Sequence, residues 1–274
     1  MCARSPEKGK AAIANIKKQP PSANIDLLQM DLMDLTSVVA AAKYFLGMET
    51  ALHGLINNAG IMAKPFEMTR DDHEAQWQTN YLAHWVLTEN LLPLMLRTAK
   101  TLPAGSVRIV NITSSGHLAA PKGGINFKDL SLKESGPWAR YGQSKLANIL
   151  HTKTLHKRYG SGSQTARNGE IWVSCVHPGI VETNLAGSVG SAMTIAFSIV
   201  RMLGLIWPAD KGSWNNLFCA AARDMKAEQC GTYIELFQRF GEPWWQSGAA
   251  KDGNLGERLE EWTAEVMRRE GWVG

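Results

Sequence analysis

Closely spaced cysteines are missing from this 274-residue chain. Its four, Cys2, Cys175, Cys219 and Cys230, stand too far apart in sequence for a zinc knuckle or a dense disulfide scaffold. Such sparse usage suits a reducing compartment, and a cytoplasmic protein is expected. A long uninterrupted apolar run is also missing. The most apolar stretch, 192–207, contains Arg201 and is too short for a membrane span, so a buried or substrate-covering helix is expected there. No signal peptide is visible at the N-terminus. Neither sign of charge dominates: 29 basic residues face 25 acidic ones, with only short groups such as Lys17-Lys18 and Arg268-Arg269. That reads as a mixed solvated surface with no nucleic-acid partner. Missing as well is any glycine-rich turn following a strand; Gly187-Ser188-Val189-Gly190 stands in the wrong place for one.

What is present is enough apolar residue, 45% of the chain, for one core and one domain spanning 1–274. Strands are expected over 25–30, 52–56, 107–112, 171–176 and 232–236. Helices are expected after the Ser5-Pro6 cap, over 36–46, from a capping box at Thr69-Arg70-Asp71-Asp72 towards Leu92, and over 141–159, 192–207, 209–222 and 255–269. The stretches 116–140 and 160–169 read as loops. Strands that are apolar on both faces and alternate with helices predict a parallel sheet covered on both sides.

Ligands of such sheets sit beyond the carboxyl ends of the strands. Asp31, Asn57-Asn58-Ala59-Gly60, Ser114 and Pro178-Gly179 all fall there. Tyr141 and Lys145, four apart on a helix, share one face. A lysine charge beside a phenol is expected to lower its pKa, and a phenol that gives and takes a proton near neutrality serves as an acid/base group.

Together these motifs resemble the short-chain dehydrogenase/reductase family. The matching positions are Asn57-Asn58-Ala59-Gly60, Asn80, Val110-Asn111-Ile112-Thr113-Ser114, Tyr141-x-x-x-Lys145 and His177-Pro178-Gly179 with Thr183. The run Gly142-Gln143-Ser144-Lys145-Leu146-Ala147-Asn148 is similar to the retinol-dehydrogenase-like branch, particularly its fungal members. The resemblance implies a Rossmann-like doubly wound parallel sheet in an α/β fold. It implies that Tyr141 exchanges a proton with a substrate oxygen, that Ser114 orients that oxygen, that Lys145 holds the nicotinamide ribose, and that Asn80 holds a water in a relay to Lys145. Three hydroxyls adjoin at Thr113, Ser114 and Ser115, and the family register points to Ser114. Cofactor contacts are implied for Arg4, Asp31, Asn58, Ala59, Gly60, Tyr141, Lys145, Pro178, Gly179, Val181 and Thr183. Asn111-Ile112-Thr113 is formally a glycosylation sequon but is expected inside a strand.

The family normally opens with a strand, a Thr-Gly-x-x-x-Gly-x-Gly turn, a helix and a second strand. This chain is expected to lack the first two strands and first helix, with Met1 to Arg4 matching the second strand's end. The missing turn would offer backbone N–H groups to a pyrophosphate. Losing two or three such bonds, at about 1.5–3 kcal/mol each, is expected to weaken cofactor binding about a thousandfold or more. It would also leave 52–56 as an unprotected sheet edge. Arg4, a base where the family discriminates the 2′-phosphate, favours NADP over NAD. The resemblance therefore implies an NADP-dependent oxidoreductase interconverting a carbonyl and an alcohol on a small, hydrophobic or polyketide-like substrate, in fungal specialised metabolism by analogy, and a homo-oligomer built on the helices carrying Asn80 and Tyr141. An inactive shortened homologue with a binding or regulatory role stays open.

Overall fold

The structure, a computed structural model, describes residues 1–179, 181, 208–235 and 246–274. Strands β1 (Cys2–Ala3) and β2 (Leu28–Gln29) form a two-stranded parallel pair. Strands β3 (Gly54–Asn57), β4 (Val107–Ile112), β5 (Ile171–His177) and β6 (Tyr233–Glu235) form a parallel sheet in that order. Register sets Asn57 beside Asn111, Asn111 beside Cys175, and Cys175 beside Tyr233. This is the Rossmann-like α/β arrangement, with helices on both faces.

Every residue of β4 and β5 is buried, as their apolar pattern requires. On one face Val107, Ile109, Ile171 and Val173 pack against Leu92 and Met95 of α4 (Ala83–Ala99) and Leu155 of α5 (Pro137–Tyr159). On the other, Val110, Ile112, Trp172, Val176 and Ile234 meet Cys219 and Phe218 of α6 (Trp214–Ala221). Arg108 is the charged residue inside β4. Its guanidinium donates to the carbonyls of Cys219 and Ala222 at 3.2 and 2.8 Å, serving the last turn of α6, and lies 5.3 Å from the Trp172 ring centroid.

Helix starts follow capping chemistry. Ser5 accepts from the Lys8 N–H with Pro6 at the first position of α1 (Pro6–Ile16), and Asp34 accepts from the Ser37 N–H ahead of α2 (Leu35–Met48). The expected box at Thr69–Asp72 does not open a helix. Asp72 has φ +59, Thr69 Oγ1 accepts from the N–H groups of Asp71 and His73, and the segment is a turn. The helix opens at α3 (Ala75–Trp77), where Glu74 accepts from the Trp77 N–H at 2.8 Å. The long loop also ends sooner than expected, because Pro137 starts α5 four residues before Tyr141. The strand expected over 25–30 shrinks to the two residues that have a β1 partner. The helix expected over 209–222 divides into a turn at Ala209–Gly212 and α6. The helix expected over 192–207 lies outside the described residues.

The last helix, α7 (Gly253–Arg269), packs against α5 and reaches Trp85 of α4. Glu260, buried, accepts from Trp85 Nε1 at 3.2 Å and from Arg158 at 3.2 Å and pairs with His151 at 3.0 Å; Tyr81 and Thr263 share a hydrogen bond of 2.8 Å. Burial alone would raise the Glu260 pKa, but the His151 and Arg158 charges outweigh it and hold it low. The C-terminal helix thus bonds to both Trp85 of α4 and the buried side of α5. Among the described residues, no helix is long and apolar enough to cross a membrane.

Strand β3 has β4 as its only partner among the described residues, and Ile56 on it is 46% exposed. An apolar residue on an open strand edge is a template for self-association. Ile56→Lys is expected to lower light scattering of the concentrated protein, with stability changed by no more than about 0.5 kcal/mol. Equal scattering from both proteins would remove the edge as the cause.

Candidate active site

The end of β4 anchors the site. Lys145 Nζ donates to the Ile112 carbonyl at 3.0 Å, Asn148 donates to the same oxygen at 3.1 Å, and Thr113 Oγ1 donates to the Lys145 carbonyl at 2.7 Å. One turn of α5 is thereby stitched to the last residues of the strand. Of the three adjoining hydroxyls, Thr113 is buried and committed to this stitch. Ser114, half-buried, caps the 3₁₀ turn Ser115–Ala119 by accepting from the Gly116 N–H at 3.0 Å. The Tyr141 ring and Ser114 Oγ both flank Gly116, so the two side chains stand side by side. Gly116 is required here, since a Cβ on it would stand 2.6 Å from the Tyr141 ring. Gly142 is held similarly: a Cβ there would stand 2.5 Å from the Ala120 backbone nitrogen.

The expected lowering of the Tyr141 pKa by Lys145 is not what the geometry produces. Burial pushes the phenol above its ordinary value, opposed by the neighbouring Ser114 side chain. The ammonium lies 5.8 Å from the tyrosine ring centroid, turned to the Ile112 carbonyl. The same burial lowers Lys145 to about 8.

Asn80 sits within a π-helical turn, Gln78–Leu82, between α3 and α4. Such bulges re-aim side chains at functional sites. Its Oδ1 accepts from the Ile61 N–H at 2.8 Å, and its Nδ2 donates to the Ile61 carbonyl and to Ser144 Oγ, both at 2.9 Å. The side chain therefore ties the segment after β3 to the turn of α5 bearing Tyr141. A Cβ on Gly60 would stand 2.8 Å from Asn80 Oδ1 and 3.5 Å from Lys145 Nζ, so Gly60 keeps the floor beside the lysine open.

The remaining sequence-predicted positions fall at strand ends. Arg4 is exposed directly after β1, its carbonyl 3.4 Å from Gln29 Nε2. Asp31 is half-buried after β2 and accepts from the Met33 N–H at 3.0 Å. Asn58 and Ala59 are exposed and Gly60 half-buried after β3. Pro178 and Gly179 follow β5, Gly179 with φ +84 and its N–H 3.4 Å from His177 Nδ1. Val181 packs beside Gly212. Thr183 lies outside the described residues.

Several interactions at the site were not expected from the sequence. A buried ladder runs across the sheet: Asn57 Nδ2 donates to Thr88 Oγ1 and to Asn111 Oδ1 at 3.1 and 2.8 Å, and Asn111 Nδ2 donates to Thr152 Oγ1 at 2.9 Å. Two asparagines in apolar strands were the available signal, and Asn111, far from being a glycosylation acceptor, is 2% exposed. His84, His117 and His177 are buried around the same centre. Arg140, next to Tyr141, pairs with Glu74 inside the protein.

The fold and the residues gathered at its strand ends define an oxidoreductase of the Rossmann-like class. The chain belongs to the short-chain dehydrogenase/reductase family, which uses NAD(P). The short chain dehydrogenase family model matches residues 1–128. A short-chain dehydrogenase/reductase of Aspergillus calidoustus, drtF, is 50% identical over 272 residues, covering 98% of this chain and 85% of that one. Retinol dehydrogenase 12 of Mus musculus is 32% identical over 265 residues, covering 95% and 75%. Among solved structures, a protein of Mycobacterium paratuberculosis is similar with a TM-score of 0.70 and 29% identity, covering 98% of this chain and 83% of that one. A gluconate 5-dehydrogenase of Burkholderia cenocepacia, in complex with NADP and tartrate, shares the fold at a TM-score of 0.61 and 21% identity, covering 94% and 84%.

The buried histidines give this centre a pH dependence. His84 falls from 6.5 to about 3, through burial first and then the Lys145 charge. His177 falls to about 4, through burial first and then His117 and Lys145. Unfolded, both imidazoles take a proton near 6.5; folded, both stay neutral to much lower pH. The unfolded state therefore binds more protons across this window, and stability present above pH 6.5 is lost as pH falls towards 4 and 3. The slope approaches about 1.4 kcal/mol per pH unit for each imidazole. Thermal melts between pH 7 and 5, above most carboxylate titration, should show a falling Tm; a flat profile would contradict the buried neutral assignment.

Proposed function

We propose that this protein is an NADP-dependent reductase or dehydrogenase interconverting a carbonyl and an alcohol on a small, hydrophobic substrate. The observation that carries this reading is the joining of Ser114, Tyr141 and Lys145 at the end of β4, with the tyrosine ring and the serine hydroxyl side by side over Gly116 and Lys145 bonded to Ile112. A substrate oxygen received between these two hydroxyls meets a donor from each. Tyr141 gives its proton as the oxygen becomes an alkoxide, and takes it in the reverse direction. Its raised pKa keeps it protonated and ready as the acid in reduction. Ser114, held by the Gly116 N–H, orients the oxygen.

The residues present fit a nicotinamide dinucleotide. Lys145 has three donor positions and gives one to Ile112, leaving others for ribose hydroxyls. Gly60 leaves space where a Cβ would crowd Asn80 and Lys145. Asp31 would take the adenine amino group, Asn58, Ala59 and Gly60 would line the nucleotide, and Pro178, Gly179, Val181 and Thr183 would flank the nicotinamide. When bound, the cofactor supplies or accepts the hydride. The exposed Arg4 would pair with the 2′-phosphate, which favours NADP over NAD. Asn80 positions the relay to Lys145, its side chain already fixed by Ile61 and Ser144.

Trp138 stands edge-on to Tyr141, ring centroids 5.9 Å apart, and Leu118 is exposed after Ser114. These apolar groups support a hydrophobic substrate, and relatives from Aspergillus calidoustus and Phomopsis amygdali support a fungal metabolic setting. A cytoplasmic location agrees with the free cysteines.

NADPH oxidation measured against a panel of ketones, aldehydes and quinones tests the reading. Tyr141→Phe is expected to lower kcat by about a hundredfold or more. Turnover that survives this change would remove Tyr141 as the acid, and no turnover with any carbonyl would favour an inactive homologue with a binding role. Separately, Arg4→Asp is expected to weaken NADPH affinity about tenfold while leaving NADH unchanged, consistent with one lost charge-assisted contact. Unchanged preference in fluorescence titrations would remove Arg4 from cofactor choice.

A further inference from the structure

We propose that the buried Arg140–Glu74 pair is a positioning device that registers Tyr141 against the turn bearing Asn80. The inference rests on the catalytic reading of Tyr141 but concerns residues outside that set. Arg140 immediately precedes Tyr141, and its side chain is 4% exposed; that of Glu74 is 1% exposed. Arg140 Nε and Glu74 Oε1 lie 3.4 Å apart. Two charges kept this far from water need partners; Arg140 Nε and Glu74 Oε1 face each other without a hydrogen bond, and the other ends of both side chains are bonded to backbone. Arg140 donates to the carbonyls of Leu132 and Ser135 in the loop before α5, and to the Lys64 carbonyl in the segment after β3 at 3.3 Å. Its guanidinium lies 5.5 Å from the Phe66 ring centroid. Glu74 caps α3 through the Trp77 N–H, six residues ahead of Asn80.

One guanidinium thus joins four pieces of chain: the post-β3 segment, the pre-α5 loop, the first turn of α5 and the cap of α3. Leu132 has φ +46, a left-handed conformation costly for leucine, and its carbonyl is one that Arg140 holds. The two ends of the pair lie close in sequence to Asn80 and Tyr141. Between those residues the link closes through Ser144, which accepts from Asn80 and donates to the Tyr141 carbonyl at 2.8 Å. A solvent-exposed pair would be a weak tether; a buried arginine with a planar fork fixes direction as well as distance.

The test uses Arg140→Lys, Glu74→Gln and the double variant Arg140→Met/Glu74→Leu, which removes both charges together and so avoids a lone buried ion. In the double variant kcat is expected to fall about a hundredfold, from a misplaced acid, with the NADPH KM within about twofold of the parent. Arg140→Lys should recover part of kcat, since it keeps the charge and loses the fork. Hydrogen–deuterium exchange should quicken together in peptides covering 74–82 and 137–145, with 107–112 unchanged. A folded double variant with parental kcat overturns the proposal. So does exchange that quickens in one of the two segments alone, a readout available from the single variants if the double one does not fold. If parental turnover does not depend on Tyr141, the catalytic reading fails, while paired exchange still decides whether Arg140 couples the two turns.

Discussion

A buried ammonium bonded to the last carbonyl of a strand is the interaction on which this centre depends. Lys145 is 5% exposed, and its bond to Ile112 brings α5 down onto the end of β4. The reciprocal bond from Thr113 to the Lys145 carbonyl locks the rotation of that helix turn. Once both are made, Tyr141, one turn earlier on the same face, has little choice but to stand over Gly116 beside Ser114. Desolvation is the cost of this arrangement, and it appears in the lowered Lys145 pKa and the raised Tyr141 pKa alike. A bound cofactor would meet a lysine already oriented rather than one that must be ordered.

Around this stitch the protein has arranged polar groups that are mostly buried. The ladder Thr88–Asn57–Asn111–Thr152 crosses from α4 through two strands to α5, and Glu260 collects Trp85, His151 and Arg158 beneath α7. Each buried group that finds its partner restricts how the helices can slide over the sheet, whereas apolar contacts alone tolerate small shifts. Only the combination of both explains a site in which a glycine is needed wherever backbone or ring passes within about 3 Å, a distance that excludes a Cβ contact.

The motifs at the strand ends were legible because they combine two periodicities. β4 and β5 announced themselves as short runs apolar on both faces, and Tyr141 with Lys145 stood at the helical spacing that makes them neighbours. The Ser5-Pro6 cap was equally plain, because the capping bond is made between residues three apart. Thr69–Asp72 misled for the complementary reason. A threonine hydroxyl can satisfy backbone N–H groups in a turn as well as at a helix start, and only the buried Glu74, paired with an arginine 66 positions away, decides where the helix begins.

By itself, then, the sequence determined the α/β class, the parallel sheet and the identity of the residues at its carboxyl edge, because these follow from patterns a few residues long. Tertiary structure decided the rest. It turned Lys145 towards a carbonyl instead of the phenol, placed Asn80 in a π turn with its amide already spent, laid α7 against α5, and paired Arg140 with Glu74. Each outcome depends on which distant groups share a dry interior. The sign and size of an electrostatic effect there depend on burial and partners that no local spacing records.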